Sequence, residues 1–430
     1  MFAVLKFSFC GVLIALLGVW ALAQAPVEIT VWWHTGQVAE LEVITALVEE
    51  FNASQNEIRV RLVNIPEAEY TAQVRAAGLA GKLPDLLDLD GPTMANFVWN
   101  GWLIPLDPYV SDELRADLLP SIIAQGTYPP DGKLYAIGMV DSGLAIWGNR
   151  NYLERAGVRI PAGVDDAWTL NEFEDALKKL AALPEVEWPL DLKLGYGIGE
   201  WYTYGFSPII QAFGGDLINR TTWRAQGTLD GIASVLGMTL FQHWIKEGWV
   251  VPASAGDDAF YGKKTAALAW VGHWMYGPHS QGLGEDLVLI PMPKLGAGCR
   301  AATGMGTWCW GITSTSKHPE AAWKFLEYLL KPENILRFVA ANGAVPGRKS
   351  AIAQSELYGP DGKLRVFAEQ LLTIAVPRPV HPAYPVITSA FAEAVQNIMA
   401  GADVYEELHK AAIKIDQDIE ENAGYPPFGG

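Results

Sequence analysis

Val27-Glu28-Ile29-Thr30-Val31-Trp32-Trp33-His34-Thr35-Gly36 is the stretch whose reading decides the fold. Val27, Ile29 and Val31 alternate with Glu28 and Thr30, the period-two pattern of a strand with one buried face. Two indoles and an imidazole follow, and then Thr35-Gly36 precedes a helical repeat, so the aromatic cluster falls where a strand hands over to a helix. In open α/β sheets the crevice at the carboxyl ends of the strands is where ligands bind. A single Trp at such a place is usually a packing residue.

Outward from this strand, Leu41, Ile44, Leu47, Val48 and Phe51 recur at helical spacing, and Ile58, Val60 and Leu62 alternate as a second strand. Pro66 suits the first turn of a helix carrying Tyr70, Val74 and Ala77, and Asp85 to Asp90 reads as a third strand. The β-α-β-α-β order predicts a parallel sheet with right-handed crossovers. Leu134 to Trp147 is an extended apolar run broken by Gly138, Asp141, Ser142 and Gly143, as a strand changing direction between two domains requires. A β-bulge inside one domain is the alternative. A second α/β region follows, with helices around 170–183, 209–213 and 229–247, a buried strand at 266–270, a helix at 319–330 and an amphipathic last helix from Val404 to Ile419.

The 430 residues are enough for two domains at a soft prior of about 150 residues each. A net charge of -17 argues against nucleic acid and anionic membrane as partners. Residues 1–25 carry one charge, Lys6, then an apolar run and the small-residue sites Ala21-Leu22-Ala23 or Ala23-Gln24-Ala25, the pattern of a secretory signal peptide cleaved near Ala23 or Ala25. The mature chain keeps Cys299 and Cys309, which in an oxidising compartment can form a disulfide, two free thiols being the alternative. Neither stands at metal-ligand spacing to another Cys or His, and no metal or cofactor is expected. Gly256 to Thr265 misses the phosphate-loop spacing, Gly195, Gly197 and Gly199 miss the dinucleotide fingerprint, and no G-x-S-x-G or H-E-x-x-H occurs.

Four aromatic clusters sit beside Gly or polar residues at expected strand ends: Trp32-Trp33-His34, Glu200-Trp201-Tyr202-Thr203-Tyr204, Gly272-His273-Trp274 and Gly306-Thr307-Trp308. A sugar offers an apolar C–H face and a rim of hydroxyls, which flat rings and short polar side chains match. Trp33, His34, His273, Trp274 and Trp308 are therefore candidate cleft residues, with Trp32 as packing. None of the clusters contains Arg or Lys, which an anionic ligand would call for, so a neutral mono- or oligosaccharide is expected.

The chain resembles the family 1 extracellular solute-binding proteins of ABC importers, the maltose-binding-protein type. The resemblance rests on Ile29-Thr30-Val31-Trp32, Pro84-Asp85-Leu86-Leu87, Gly101-Trp102-Leu103-Ile104-Pro105-Leu106, Asp131-Gly132-Lys133-Leu134-Tyr135-Ala136, Trp168-Thr169-Leu170-Asn171-Glu172-Phe173, Gly262-Lys263-Lys264-Thr265-Ala266-Ala267-Leu268 and Ser316-Lys317-His318-Pro319-Glu320-Ala321-Ala322, in that order. It implies an α/β, two-lobed periplasmic-binding-protein fold of type II with a hinge between the lobes: 26–138 plus 308–342 as lobe 1, and 139–307 plus 343–430 as lobe 2. Carried over by position, the ligand contacts would be Asp90 and Thr93 after the third strand, Asp141 and Ser142 at the first hinge, and Trp201, Tyr202 and Tyr204 on a second-lobe loop. Trp274 follows the buried strand, and His381 and Tyr384 lie on the C-terminal return. The family's Asp-Arg pair for sugar hydroxyls aligns with Pro92-Thr93, which speaks against maltose itself. The resemblance further implies a monomeric periplasmic protein without catalytic activity that delivers its ligand to membrane permease subunits. A secreted glycoside-acting enzyme is the alternative.

Overall fold

The structure, a computed structural model, describes residues 25–298 and 300–428; the expected cleavage sites apart from Ala25, and Cys299, lie outside the described residues. Among the described residues no helix is long and apolar enough to cross a membrane.

Two four-stranded sheets organise the chain. In the first, strands Val27–Thr35, Ile58–Pro66 and Leu86–Asp90 are parallel, and Trp308–Ile312 returns antiparallel beside Leu86–Asp90. The opening strand pairs in unbroken register from Val27 opposite Ile58 to Thr35 opposite Pro66. Its alternation therefore runs on through the aromatic cluster: Ile29, Val31 and Trp33 share one buried face, under the helices Val38–Ser54, Pro319–Leu329 and Pro332–Asn342. Side chains of opposite parity, Trp32 among them, meet the helix Glu67–Leu79 and its neighbours on the other face.

In the second sheet, Leu144–Asn149 is antiparallel to both Leu287–Ile290 and Ala266–Gly272, and Trp188–Asp191 is parallel to Ala266–Gly272. Ala266–Gly272 is buried at all seven positions, as a strand covered on both faces must be. Helices Leu170–Ala181, Glu200–Ala212, Ile232–Lys246, Tyr384–Met399 and Val404–Glu421 pack around it. The first of these starts in a capping box, Thr169 accepting from the Glu172 N–H while the Glu172 carboxylate accepts from the Thr169 N–H.

The chain passes between the sheets on paired short strands. Val140–Asp141 lies antiparallel to Val345–Pro346, and Thr303–Met305 runs parallel to Ala375–Pro377. The apolar run from Leu134 to Trp147 is thus broken where the small and polar residues stand, and Leu144–Asn149 belongs to the second sheet.

Candidate functional site

The last residue of strand Leu86–Asp90 begins the site. Asp90 accepts from Arg378 through both carboxylate oxygens, Nη1 at 2.9 Å and Nη2 at 2.8 Å, and Arg378 Nη1 also donates to Glu200 Oε1 at 2.5 Å. Asp90 ends a strand of the first sheet, Glu200 opens a helix of the second lobe, and Arg378 stands on the segment after Ala375–Pro377. The guanidinium is buried and covers the Tyr204 ring at 4.8 Å from its centroid. Burial pushes the Glu200 carboxyl up, while Arg378 draws it down. The same carboxylate accepts from the Tyr384 hydroxyl and, at 2.7 Å, from Thr388 Oγ1. Thr93 Oγ1 donates to the Asp90 carbonyl at 2.7 Å and so fixes the turn from which Asp90 projects.

Glycines allow this approach. A Cβ on Gly306 would stand 2.8 Å from Arg378 Nη2, and one on Gly304 would stand 3.0 Å from the Tyr204 ring. Behind Arg378 a cavity of about 10 Å³ is lined by Gly91, Pro92, Gln125, Gly306 and Val380 among others, room for one water at most.

On the second-lobe side of Arg378, Trp201, Tyr204, Trp274 and Tyr196 form an aromatic wall. Trp201 and Trp274 meet edge to face at 6.0 Å, Tyr204 lies 6.1 Å from Trp274, and Trp274 Nε1 donates to the Tyr196 hydroxyl at 3.3 Å. Trp201 and Trp274 are half-buried, so part of each indole remains available to a ligand. On the first-lobe side, the half-buried Trp308 stacks flat on His34 at 3.6 Å. His34 is clamped by Asp88, which accepts from the ring Nδ1 at 2.5 Å and from the His34 N–H at 3.1 Å. Burial pulls the His34 pKa down, but the charge and hydrogen bond of Asp88, together with the charges of Glu40 and Glu67, outweigh it and the net shift is upward.

Beneath the wall, a directional hydrogen-bond chain crosses the connecting strands. The Tyr204 hydroxyl donates to Ser142 Oγ at 3.0 Å, Ser142 Oγ lies 2.9 Å from His273 Nε2, and His273 Nδ1 lies 3.0 Å from the Asn342 carbonyl. A carbonyl only accepts, so Nδ1 carries the proton and Nε2 accepts from Ser142. His273 is held neutral, its pKa pushed down to about 4 by burial. The Asn342 side chain extends the chain into the first lobe by donating to Glu40 Oε1 at 2.9 Å. Asp141, raised by burial, accepts from Gln125 Nε2 at 3.1 Å and from the Ser142 N–H at 2.8 Å.

The structure therefore brings together Asp90, Thr93, Asp141, Ser142, Tyr204, His273, Trp274, Trp308, Trp201, Tyr384 and His34. It places three other candidates elsewhere. Trp33 is not a cleft residue: it keeps the parity of Ile29 and Val31 and stacks on Trp310 at 5.4 Å with Phe338 edge-on. Tyr202 points into the second-lobe core against Phe206, because positions 200–212 are a helix and not the expected loop. His381 is buried between Trp223 and Phe428, each at 4.7 Å. Cys309 is a free, buried thiol in the first-lobe core, beneath Gly91. The other half of the expected disulfide, Cys299, lies outside the described residues. The principal residue missed is Arg378, flanked by Pro377 and Pro379 and outside every aromatic cluster; Tyr196 and Gln125 were missed too.

The arrangement is that of a binding protein of the two-lobed periplasmic type: two α/β lobes, paired crossing strands, and an aromatic and polar cleft between them. The chain matches the family model described as bacterial extracellular solute-binding protein over residues 35–335 and belongs to that family. It is 22% identical to the galactooligosaccharide-binding protein of Bacillus subtilis, over 90% of this chain and 88% of that one. To the maltotriose-binding protein of Pyrococcus abyssi it is 23% identical, over 76% of this chain and 68% of that one. Among solved structures, the GacH receptor of Streptomyces glaucescens, studied with acarbose, superposes with a TM-score of 0.75 at 23% identity, over 92% of this chain and 98% of that one. A solute-binding protein of Thermotoga lettingae bound to α-D-tagatose gives the same TM-score of 0.75 at 23% identity, over 91% and 99% of the two chains.

Proposed function

We propose that this protein is the exported substrate-binding subunit of an ABC importer, that it captures a neutral mono- or oligosaccharide between its lobes, and that it hands the sugar unchanged to membrane permease subunits. The observation that carries this reading is the pairing of half-buried indoles, Trp201 and Trp274 on one lobe and Trp308 on the other, on either side of a guanidinium whose charge is already met by Asp90 and Glu200. Flat rings take the C–H face of a pyranose, and the carboxylates and hydroxyls beside them accept from or donate to its rim. Arg378 is engaged within the protein, so an anionic group on the ligand would face Asp90 and Glu200 without a free cation to meet it. The sugars that the relatives are named for or bound to support the same class.

Export to the periplasm with cleavage near Ala23 or Ala25, action as a monomer, and lobe boundaries at 26–138 plus 308–342 and 139–307 plus 343–430 belong to this proposal. The strand membership of the two sheets supports those boundaries. The mature protein, incubated with a panel of neutral and acidic sugars while its melting is followed, tests the reading. A ligand at 100 times its Kd should stabilise by about 2.7 kcal/mol, and the sugar should be recovered intact; turnover of the sugar would overturn it in favour of a secreted glycoside-acting enzyme.

A further inference from the structure

The helix Val404–Glu421 belongs to the second lobe, yet the residues that follow it cross to the first. Tyr425 packs edge-on against Trp99 at 4.8 Å, and the Pro426 carbonyl accepts from Trp99 Nε1 at 3.1 Å. Phe428 meets Tyr128 of the first lobe at 5.4 Å and, on the second, Trp223 at 5.6 Å and His381 at 4.7 Å. The segment is anchored at its origin as well, where the Tyr425 hydroxyl donates to Asp418 Oδ2 at 2.7 Å. One short stretch thus holds aromatic contacts on both lobes.

Its location gives these contacts meaning. His381, which the strap covers, is three residues from Arg378, and Val380 lines the cavity of about 10 Å³ behind that guanidinium. Nearby, Asn96 Nδ2 of the first lobe donates to the Pro382 carbonyl at 2.7 Å. At this end the lobes already touch and no sugar ring fits between them. Tyr196, which accepts from Trp274 on the aromatic wall, keeps 39% of its surface exposed.

We infer that Asn422–Phe428 is a strap that ties the two lobes together beside Arg378 and closes that end of the interlobe cleft, so that a ligand enters and extends only from the aromatic side. Resting on the proposed sugar-binding reading, this makes the site one that holds the end of a saccharide chain and sets an upper limit on how much of the chain it takes in. No anion or metal is called for.

Two measurements on the full chain and on Phe428→Ala, Tyr425→Ala and the double variant test it. Without any sugar, hydrogen exchange should rise at least tenfold in 94–99 and 127–128 of the first lobe when the strap's rings are removed; unchanged exchange in folded variants overturns the strap. With linear glucose oligomers of increasing length as probes, the ratio of affinity for the longest over the shortest should rise at least tenfold in the variants. An unchanged ratio overturns the length limit even where exchange has risen. If the unaltered protein binds no neutral sugar of a broader panel, the sugar reading fails and the length limit with it, while the exchange result still decides the strap. Phe428→Leu, which keeps the apolar contact, should restore most of the protection.

Discussion

Arg378 and Asp90, 288 residues apart, form a two-point ion pair whose two N–O distances are 2.9 and 2.8 Å. Both partners are nearly inaccessible, with 5% and 12% of their side-chain surface exposed. Removing one member of a buried pair strands the other charge, which costs about 3–5 kcal/mol. Arg378→Met should therefore lower the unfolding free energy in urea by about that amount. In a double-mutant cycle, Asp90→Asn added to Arg378→Met should cost far less than Asp90→Asn alone; strict additivity would mean that the two do not act as a pair.

Trp33 and Trp274 should separate packing from binding. Trp33→Ala removes an indole that is 3% exposed and stacked on Trp310, and should cost about 3–5 kcal/mol of stability. Trp274→Ala trims a half-buried ring of the aromatic wall and should abolish the sugar-induced rise in melting temperature while the sugar-free protein stays folded. Collapse of the Trp274 variant would assign that ring to the core.

These two tryptophans also mark what the sequence discloses. The nine-residue register from Val27 to Thr35 keeps the alternation intact, so Trp33 falls with Ile29 and Val31; the parity was legible, and the aromatic character of the stretch concealed it. The parallel order of the first three strands follows from local periodicity, whereas the antiparallel return of Trp308–Ile312 arises from a segment more than 200 residues away. Arg378 was illegible for a related reason. Its partners Asp90 and Glu200 lie 288 and 178 residues upstream, and nothing in Pro377-Arg378-Pro379 announces either. Asp141 and Ser142 were readable because a break in an apolar run is a local signal.

His273 gives the protein an acid sensitivity with a defined sign. Its pKa is pushed down to about 4, so between the ordinary imidazole value of about 6.5 and 4 the unfolded chain binds a proton that the folded chain refuses. Stability contributed by this group is present above that window and falls as pH drops through it, at about 1.4 kcal/mol per pH unit. The difference in stability between the unaltered protein and His273→Gln, followed by urea unfolding from pH 7 to 4, should show this slope; parallel curves would mean that His273 titrates normally.

His279 should behave in the opposite way on substitution. It is fully buried among Trp147, Phe260 and Tyr261, and neither ring nitrogen has a hydrogen-bond partner among the described residues. His279→Phe keeps the ring and removes two unsatisfied polar atoms, each of a kind that costs about 1–3 kcal/mol. A rise in melting temperature is expected, and a fall would show that the nitrogens are satisfied in solution.

Gly304 and Gly306 carry a consequence of another kind. A methyl group at Gly304 would press on the Tyr204 ring at 3.0 Å, and one at Gly306 would meet Arg378 Nη2 at 2.8 Å, at a backbone φ of 133° that side chains resist. At these two positions the crossing segment is thus bare backbone, which lets it lie flush against Tyr204 and Arg378 within the second lobe. A side chain at either glycine would act as a wedge, displacing the ring or the guanidinium without touching a ligand.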